Sequence, residues 1–199
     1  MDVSGKTIGF AFTGSHCTFA KIMPILKELK NRGAEVIPII TESVKDTDTR
    51  FGKAADWIKE IEQITNNKCI STIVDAEPVG PKALLDVLVI APCSGNTIGK
   101  LANAITDTAV LMATKAQLRN QRPVVIAVST NDGLGLNGVN IGRLCAIKNI
   151  FMVPFGQDDP INKENSIVAD MSMIIPTIEK ALEYKQIQPV IVEVFSKKK

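Results

Sequence analysis

Ala91-Pro-Cys-Ser-Gly-Asn-Thr-Ile-Gly-Lys-Leu-Ala-Asn-Ala-Ile-Thr-Asp107 is the stretch from which the fold can be read. Directly before it, Asp86-Val-Leu-Val-Ile90 is a short, β-branched apolar run, the pattern of a strand buried on both faces. Directly after its first residues, Ile98, Leu101, Ala102 and Ile105 recur at helical spacing. Pro92 to Thr97 is therefore a strand-to-helix turn at the carboxyl end of a parallel strand, the place where open α/β sheets bind ligands. Ser94, Asn96 and Thr97 carry hydroxyl and amide groups suited to a ligand, and Gly95 lets backbone approach closely. The same three side chains equally suit an ordinary N-cap, so the turn alone leaves both readings open.

Bulk properties narrow the class. A chain of 199 residues suffices for one α/β domain with a sizeable core. A net charge of +2 gives no reason to expect nucleic acid as a partner. No apolar run reaches the roughly 18 residues of a membrane span, and the N-terminus lacks a secretory pattern, so a cytoplasmic location is expected. Cys17, Cys69, Cys93 and Cys145 are widely spaced, which argues against a disulfide framework or zinc site. With His16 as the single histidine, a histidine-rich metal site is excluded, and no metal is expected.

Outward from the central stretch, strand and helix patterns alternate. Lys6 to Phe12 reads as a first strand, Thr13-Gly-Ser-His-Cys17 as a turn, and Thr18 to Arg32 as a helix ended by Gly33. A small-residue turn leading into a helix attracts an anion through free amides and the helix dipole, which nominates Gly14 and Ser15. The turn does not supply GxGxxG, so it is not a dinucleotide pattern. His16 reads as solvated or capping, Cys17 as a small buried residue. Ala34 to Ile40 is a second strand ending at Thr41-Glu-Ser43, whose hydroxyls either form a turn or bond a phosphate. Val44 to Thr49 reads as a loop, Arg50 to Ile64 as a helix and Cys69 to Val74 as a short strand. Pro123 to Val128 and Ile150 to Pro154 are further buried strands, with the Gly- and Asn-rich loop Ser129 to Gly138 behind the first. Phe155 to Asn165 reads as a lid-like loop in which Lys163 either reaches an anionic substrate or lies in solvent. Ser166 to Tyr184 reads as one helix kinked at Pro176, and Pro189 to Phe195 as a late apolar strand needing a partner. About six strand–helix repeats predict a single-domain, doubly wound, Rossmann-like (flavodoxin-like) parallel sheet over residues 1–185, followed by a C-terminal strand and basic tail over 186–199.

The central turn resembles the Pro-Ala-Ser-Ala-Asn-Thr motif of the flavin-dependent cysteine decarboxylase superfamily. Pro92, Ser94, Asn96 and Thr97 match, Cys93 and Gly95 replace the alanines, and the likeness continues through Ile98, Lys100, Leu101, Ala102, Ile105 and Asp107. The resemblance implies an FMN cofactor, its phosphate near Gly14 and Ser15, with Thr41 and Ser43 beside it, and its ring near Pro92, Cys93, Ser94, Asn96 and Thr97. Two departures stand out. Family decarboxylases often carry a histidine before a phenylalanine where this chain has Arg50-Phe51, and a Pro-x-Met-Asn segment where it has Val128-Ser-Thr-Asn131. Asn131 alone matches the asparagine that binds a substrate carboxylate. Arg50 is either a surface group or a second carboxylate clamp.

Gly14-Ser-His-Cys-Thr18, Ser129-Thr-Asn-Asp-Gly-Leu134 and Pro154-Phe-Gly-Gln-Asp-Asp-Pro160 extend the likeness over nearly the whole chain, toward members that serve as one subunit of a sporulation oxidoreductase. That implies a small dicarboxylate substrate aromatised over FMN, a separate dehydrogenase-like A subunit as partner, and a homo-oligomer, trimeric or larger. Asn131 and Arg50 are then the candidate substrate-binding catalytic residues, with Lys163 behind them. A flavin-dependent decarboxylase or prenyltransferase, and a non-catalytic flavoprotein subunit, are the alternatives.

Overall fold

Five apolar runs become the parallel body of the sheet: β1 (Thr7–Phe12), β2 (Glu35–Ile40), β3 (Val87–Cys93), β4 (Val124–Thr130) and β5 (Ile150–Met152). They were traced in a computed structural model that describes residues 2–192. β1 pairs in parallel with β2 and β3, β3 with β4, and β4 with β5, giving the order 2-1-3-4-5. This is a flavodoxin-like order, whose topological switch lies between β1 and β3. Every residue of β3 is buried, as its continuous apolar run requires. Each large aliphatic side chain so buried contributes about 1.5–3 kcal/mol before entropy is counted. β2, at the edge, accommodates Pro38, whose carbonyl accepts the amide of Ile70 at 2.9 Å.

Helices cover the sheet in two groups. On one side α1 (Phe19–Asn31) packs against α3 (Ala54–Thr65) and α8 (Ile174–Ala181). On the other, α6 (Ala109–Arg119) contacts α4 (Ile73–Ala76) and α5 (Gly95–Ala102), and α5 contacts α7 (Gly138–Cys145). The sheet is doubly wound and mostly parallel, as expected.

Several elements differ from the sequence reading. The sheet has five parallel strands, not six, and gains an antiparallel extension: β6 (Phe155–Gln157) pairs with β7 (Ile167–Ala169), and β7 with Ser129 and Thr130 of β4. The segment expected as one helix from Ser166 is thus a strand, a 3-10 turn (Met171–Met173) and then α8. Asp170 makes the break, its Oδ1 accepting the amide of Ser172 at 3.0 Å and its hydroxyl at 2.6 Å. Pro176 falls in the first turn of α8, where its missing N–H has no intrahelical acceptor to lose. Val44 to Thr49 is not all loop, because α2 (Glu42–Asp46) forms around buried Val44. The helix expected from Arg50 begins at Ala54. Before it, Thr49 and Gly52 exchange backbone bonds at 3.0 and 3.1 Å in a tight turn that uses φ +143° at Gly52. Cys69 to Val74 contributes a single bridge at Ile70 before Thr72 caps α4 by accepting the amide of Asp75 at 3.1 Å.

The described part of the C-terminal segment docks on the same body. The Gln186 side chain bonds both the amide and the carbonyl of Met152, at 2.7 and 2.8 Å. The Phe155 amide donates to Val190, and the Val192 amide to Phe155. The late strand thus meets the sheet edge at β6, while its remainder and the lysine tail lie outside the described residues.

Candidate functional site

Because β1, β3 and β4 are adjacent and parallel, their carboxyl-end loops meet. Thr13 ties the first two: its Oγ1 donates to the Pro92 carbonyl at 2.6 Å and accepts the Ser94 amide at 2.8 Å. Ser15 and Thr18 tie the first to the third. Ser15 Oγ donates to the Ser129 carbonyl at 2.7 Å, and Thr18 Oγ1 lies 3.1 Å from Ser129 Oγ. Above these ties opens a cleft of about 1370 Å³, lined by the Gly14–Thr18 turn, the start of α5, the Ser129–Asn137 loop and the segment around Asp158 and Lys163. Ordinary small-molecule sites span about 300–1,000 Å³, so the space admits a mononucleotide together with a second small molecule.

One wall is a polar network. Thr130 Oγ1 donates to Asp132, and the Asn137 amide donates to both oxygens of that carboxylate at 3.1 and 2.9 Å. Asn140 in turn donates to Asn137 Oδ1 at 2.9 Å. The Thr130 hydroxyl holds the Asp132 carboxyl below its usual range; partial desolvation opposes this and Asn137 adds to it. Gly95 presses on the same network: a β-carbon there would sit 2.5 Å from Thr130 Oγ1 and 2.9 Å from both Asn137 Nδ2 and Asp132 Oδ1. Charges around the cleft are mixed. Lys100 pairs with Asp107 at 2.7 Å and Lys163 with Asp158 at 3.4 Å.

The nominated residues divide into two groups. Gly14, Ser15, Asn96, Asn131 and Lys163 line the cleft together. Pro92 and Cys93 are buried at the end of β3, behind the wall, and burial pushes the Cys93 thiol far up. Ser94 caps α5, its Oγ accepting the Thr97 amide at 3.5 Å and lying 3.2 Å from the hydroxyl of buried Thr97. Thr41 and Ser43 bond each other at 2.9 Å, and a β-carbon at Gly14 would approach Ser43 Oγ to 3.0 Å. Arg50 is exposed, its guanidinium 4.8 Å from the centre of the Phe51 ring, and it is Phe51 that lines the cleft.

Two readings reverse. His16 is 9% exposed rather than solvated, and Cys17 is exposed rather than buried. The 3-10 turn His16–Thr18 ahead of α1 is the reason, because it rotates the imidazole inward onto Phe19. Thr13, Thr18, Asp132 and Asn137 were not singled out in the sequence. The spacing of Asp132 and Asn137 within a Gly-rich loop was their only trace, and it reads equally as a turn.

A doubly wound sheet with a mononucleotide-sized cleft at the ends of β1, β3 and β4 defines a class, and the Flavoprotein family matches residues 1–194: the chain belongs to that family. Within it, the chain is 58% identical over 191 residues to the B subunit of dipicolinate synthase from Bacillus subtilis (strain 168), covering 96% of each chain. The crystal structure of the dipicolinate synthase B subunit from Bacillus halodurans superposes with a TM-score of 0.90 at 52% identity, over 98% of this chain and 100% of that one. The FMN-dependent cysteine decarboxylase SpaF shares the fold, with a TM-score of 0.66 at 18% identity over 90% and 98% of the two chains. Among the described residues, no helix is long and apolar enough to cross a membrane, and no cluster of three or more His, Cys, Asp or Glu residues is placed to hold a metal ion.

Proposed function

We propose that this chain is the FMN-carrying subunit of an oxidoreductase that converts a dihydrodipicolinate-type dicarboxylate to dipicolinate. It acts with a dipicolinate synthase A subunit, in the cytoplasm of the mother cell of a sporulating bacterium, as a homo-oligomer of three or more copies. The observation that carries the reading is the 58% identity, spread over nearly the whole length, to the B subunit of a dipicolinate synthase. The cleft fits the cofactor on its own terms. Gly14 and Gly95 line it without side chains of their own, and hydroxyl and amide groups line the same space.

Gly14, Ser15, Thr41 and Ser43 would surround the phosphate, and Pro92, Cys93, Ser94, Asn96 and Thr97 would shape the turn beside the ring. Bound FMN supplies a ring able to accept a hydride. The chain's own contribution is positioning. Asn131 offers an amide to one substrate carboxylate from the exposed edge of the loop, and Arg50, whose guanidinium lies over the Phe51 ring, is the cation for the other. Aromatisation of the ring provides the driving force, so orientation rather than a strong base is what the site must furnish.

The test is a visible absorption spectrum of the purified chain with FMN, recorded anaerobically before and after adding the dihydrodipicolinate precursor. Bound flavin that bleaches places oxidation in this subunit. Flavin that bleaches only after the A subunit is added places it in the complex. Absence of flavin binding refutes the cofactor assignment.

A further inference from the structure

Resting on the reading of the cleft as a mononucleotide site, we propose that His16 contacts the ligand: its ring is fixed as the neutral tautomer with the proton on Nε2, and this N–H donates to an oxygen of a phosphate group bound over the Gly14–Thr18 turn. His16 is the chain's single histidine, is nine-tenths buried, and lines the cleft. Its ring stacks on Phe19 with centroids 5.0 Å apart at 34°, and Phe19 is held edge-on by Trp57 at 5.5 Å and Phe12 at 5.7 Å. This aromatic cluster sets which way the imidazole faces.

The two ring nitrogens have different surroundings. Nδ1 is buried with no hydrogen-bond partner and the residue lines the cleft, so by elimination Nε2 is the nitrogen assigned to the cleft side. A neutral imidazole carries one proton. On Nδ1 it would be a buried donor without an acceptor, the costlier kind of unmet group; a bare lone pair there is better tolerated. The proton therefore belongs on Nε2, pointing outward as a donor. A second proton would have to enter at Nδ1, in the interior, so the ring resists becoming a cation. Burial lowers its pKa accordingly. The same geometry disqualifies His16 as a general base.

The acceptor is an anion for three reasons. The turn opens into α1, thirteen residues long, whose dipole favours negative charge at this end. Lys21 lines the same end of the cleft. The other side-chain hydroxyls of the turn, Ser15 and Thr18, are already engaged with Ser129, which leaves the imidazole as the turn's open side-chain donor.

A one-histidine chain gives a single pair of imidazole nitrogen resonances, so the test is NMR of the full chain labelled with 15N-histidine. The ligand-free chain at neutral pH is expected to show the Nε2–H tautomer. FMN and inorganic phosphate are expected to shift Nε2, whereas riboflavin, which lacks the phosphate, leaves it in place. In parallel, His16→Leu should weaken FMN binding by about tenfold or more, the loss of one hydrogen bond to a charged group, and His16→Gln, which keeps an N–H, by less. An Nδ1–H tautomer, a charged ring, FMN bound without a shift at Nε2, or a shift caused by dipicolinate but not by phosphate each overturns the proposal. If phosphate moves Nε2 and no flavin binds, the donor stands and the mononucleotide reading falls.

Discussion

Adding a single methyl group at Gly95 measures how tightly the wall of the site is built. In Gly95→Ala the new carbon would lie 2.5 Å from Thr130 Oγ1 and 2.9 Å from Asn137 Nδ2 and Asp132 Oδ1, inside any van der Waals separation. None of these atoms can yield freely. Thr130 Oγ1 is bonded to Asp132, and Asn137 holds both carboxylate oxygens. Relief therefore means breaking or stretching at least one hydrogen bond to a charged group, about 1.5–3 kcal/mol. Against this, replacing glycine by alanine in a helix returns about 0.5–1 kcal/mol of chain entropy. The net expectation is a loss of about 1–2 kcal/mol, or roughly 2–8 °C in Tm for a chain of this size. Urea denaturation reads the loss as a lowered midpoint with unchanged slope. Thr130→Ala removes the atom closest to the new methyl, so the double variant Gly95→Ala/Thr130→Ala should lose less than the sum of the two singles. Gly142→Ala is the control: it lies in α7, with nothing within 4 Å of its β-carbon, and should be neutral or stabilising. Gly95→Ala as stable as the wild type, or strictly additive with Thr130→Ala, would refute the reasoning.

Three further outcomes follow from the same geometry. Thr13→Val keeps the shape and removes both bonds between the first two loops, leaving the buried Pro92 carbonyl and the Ser94 amide unmet; a loss of about 1–3 kcal/mol is expected by urea denaturation. Asp132→Asn sets an amide against the Asn137 amide and should destabilise, while the exchange Asp132→Asn/Asn137→Asp inverts donor and acceptor and should restore most of the loss. The folded pKa of Asp132 is depressed, so its stabilisation is complete above the ordinary carboxylate value of about 4 and fades as pH falls through the folded value; the stability gap between wild type and Asp132→Asn should narrow below about pH 4. Finally, Cys17 and Cys145 are exposed and should react with a thiol reagent in the native chain, whereas buried Cys93 should not; saturating FMN should slow Cys17, which lines the cleft, and leave Cys145 unchanged as judged by peptide mass mapping.

What the sequence disclosed and what it hid follow from the range of each interaction. The apolar run Val87 to Ile90 and the helical spacing after it are local, and the strand, the turn and the helix could be read from them, whereas the order of strands in the sheet could not. The end of the sheet where a ligand would sit could be read as well. By contrast, Ile167-Val-Ala169 fits a helical face as well as a strand. Its pairing with Ser129 and Thr130, nearly forty residues earlier, decides the matter. The ties that assemble the cleft are longer still: Thr13 to Pro92 and Ser94, and Ser15 and Thr18 to Ser129, cross between loops 79 to 114 residues apart in the chain.

The glycine at position 95 carries the same lesson. In the family motif that the turn resembles, the corresponding residue is alanine, and taken alone the change looks like loosened backbone. In the folded chain it is matched by a carboxylate on the facing loop. Asp132, held by Thr130 and Asn137, occupies the space that an alanine methyl would need. The departure at Gly95 and the altered segment around Asn131, which read as two separate differences along the chain, are two sides of one contact. The loop that would present Asn131 to a substrate is fixed in place by the residue next to it, against backbone that only glycine leaves bare. A variant that restores the family's alanine at position 95 without removing Asp132 should therefore lose the geometry of both the β3 and the β4 loop.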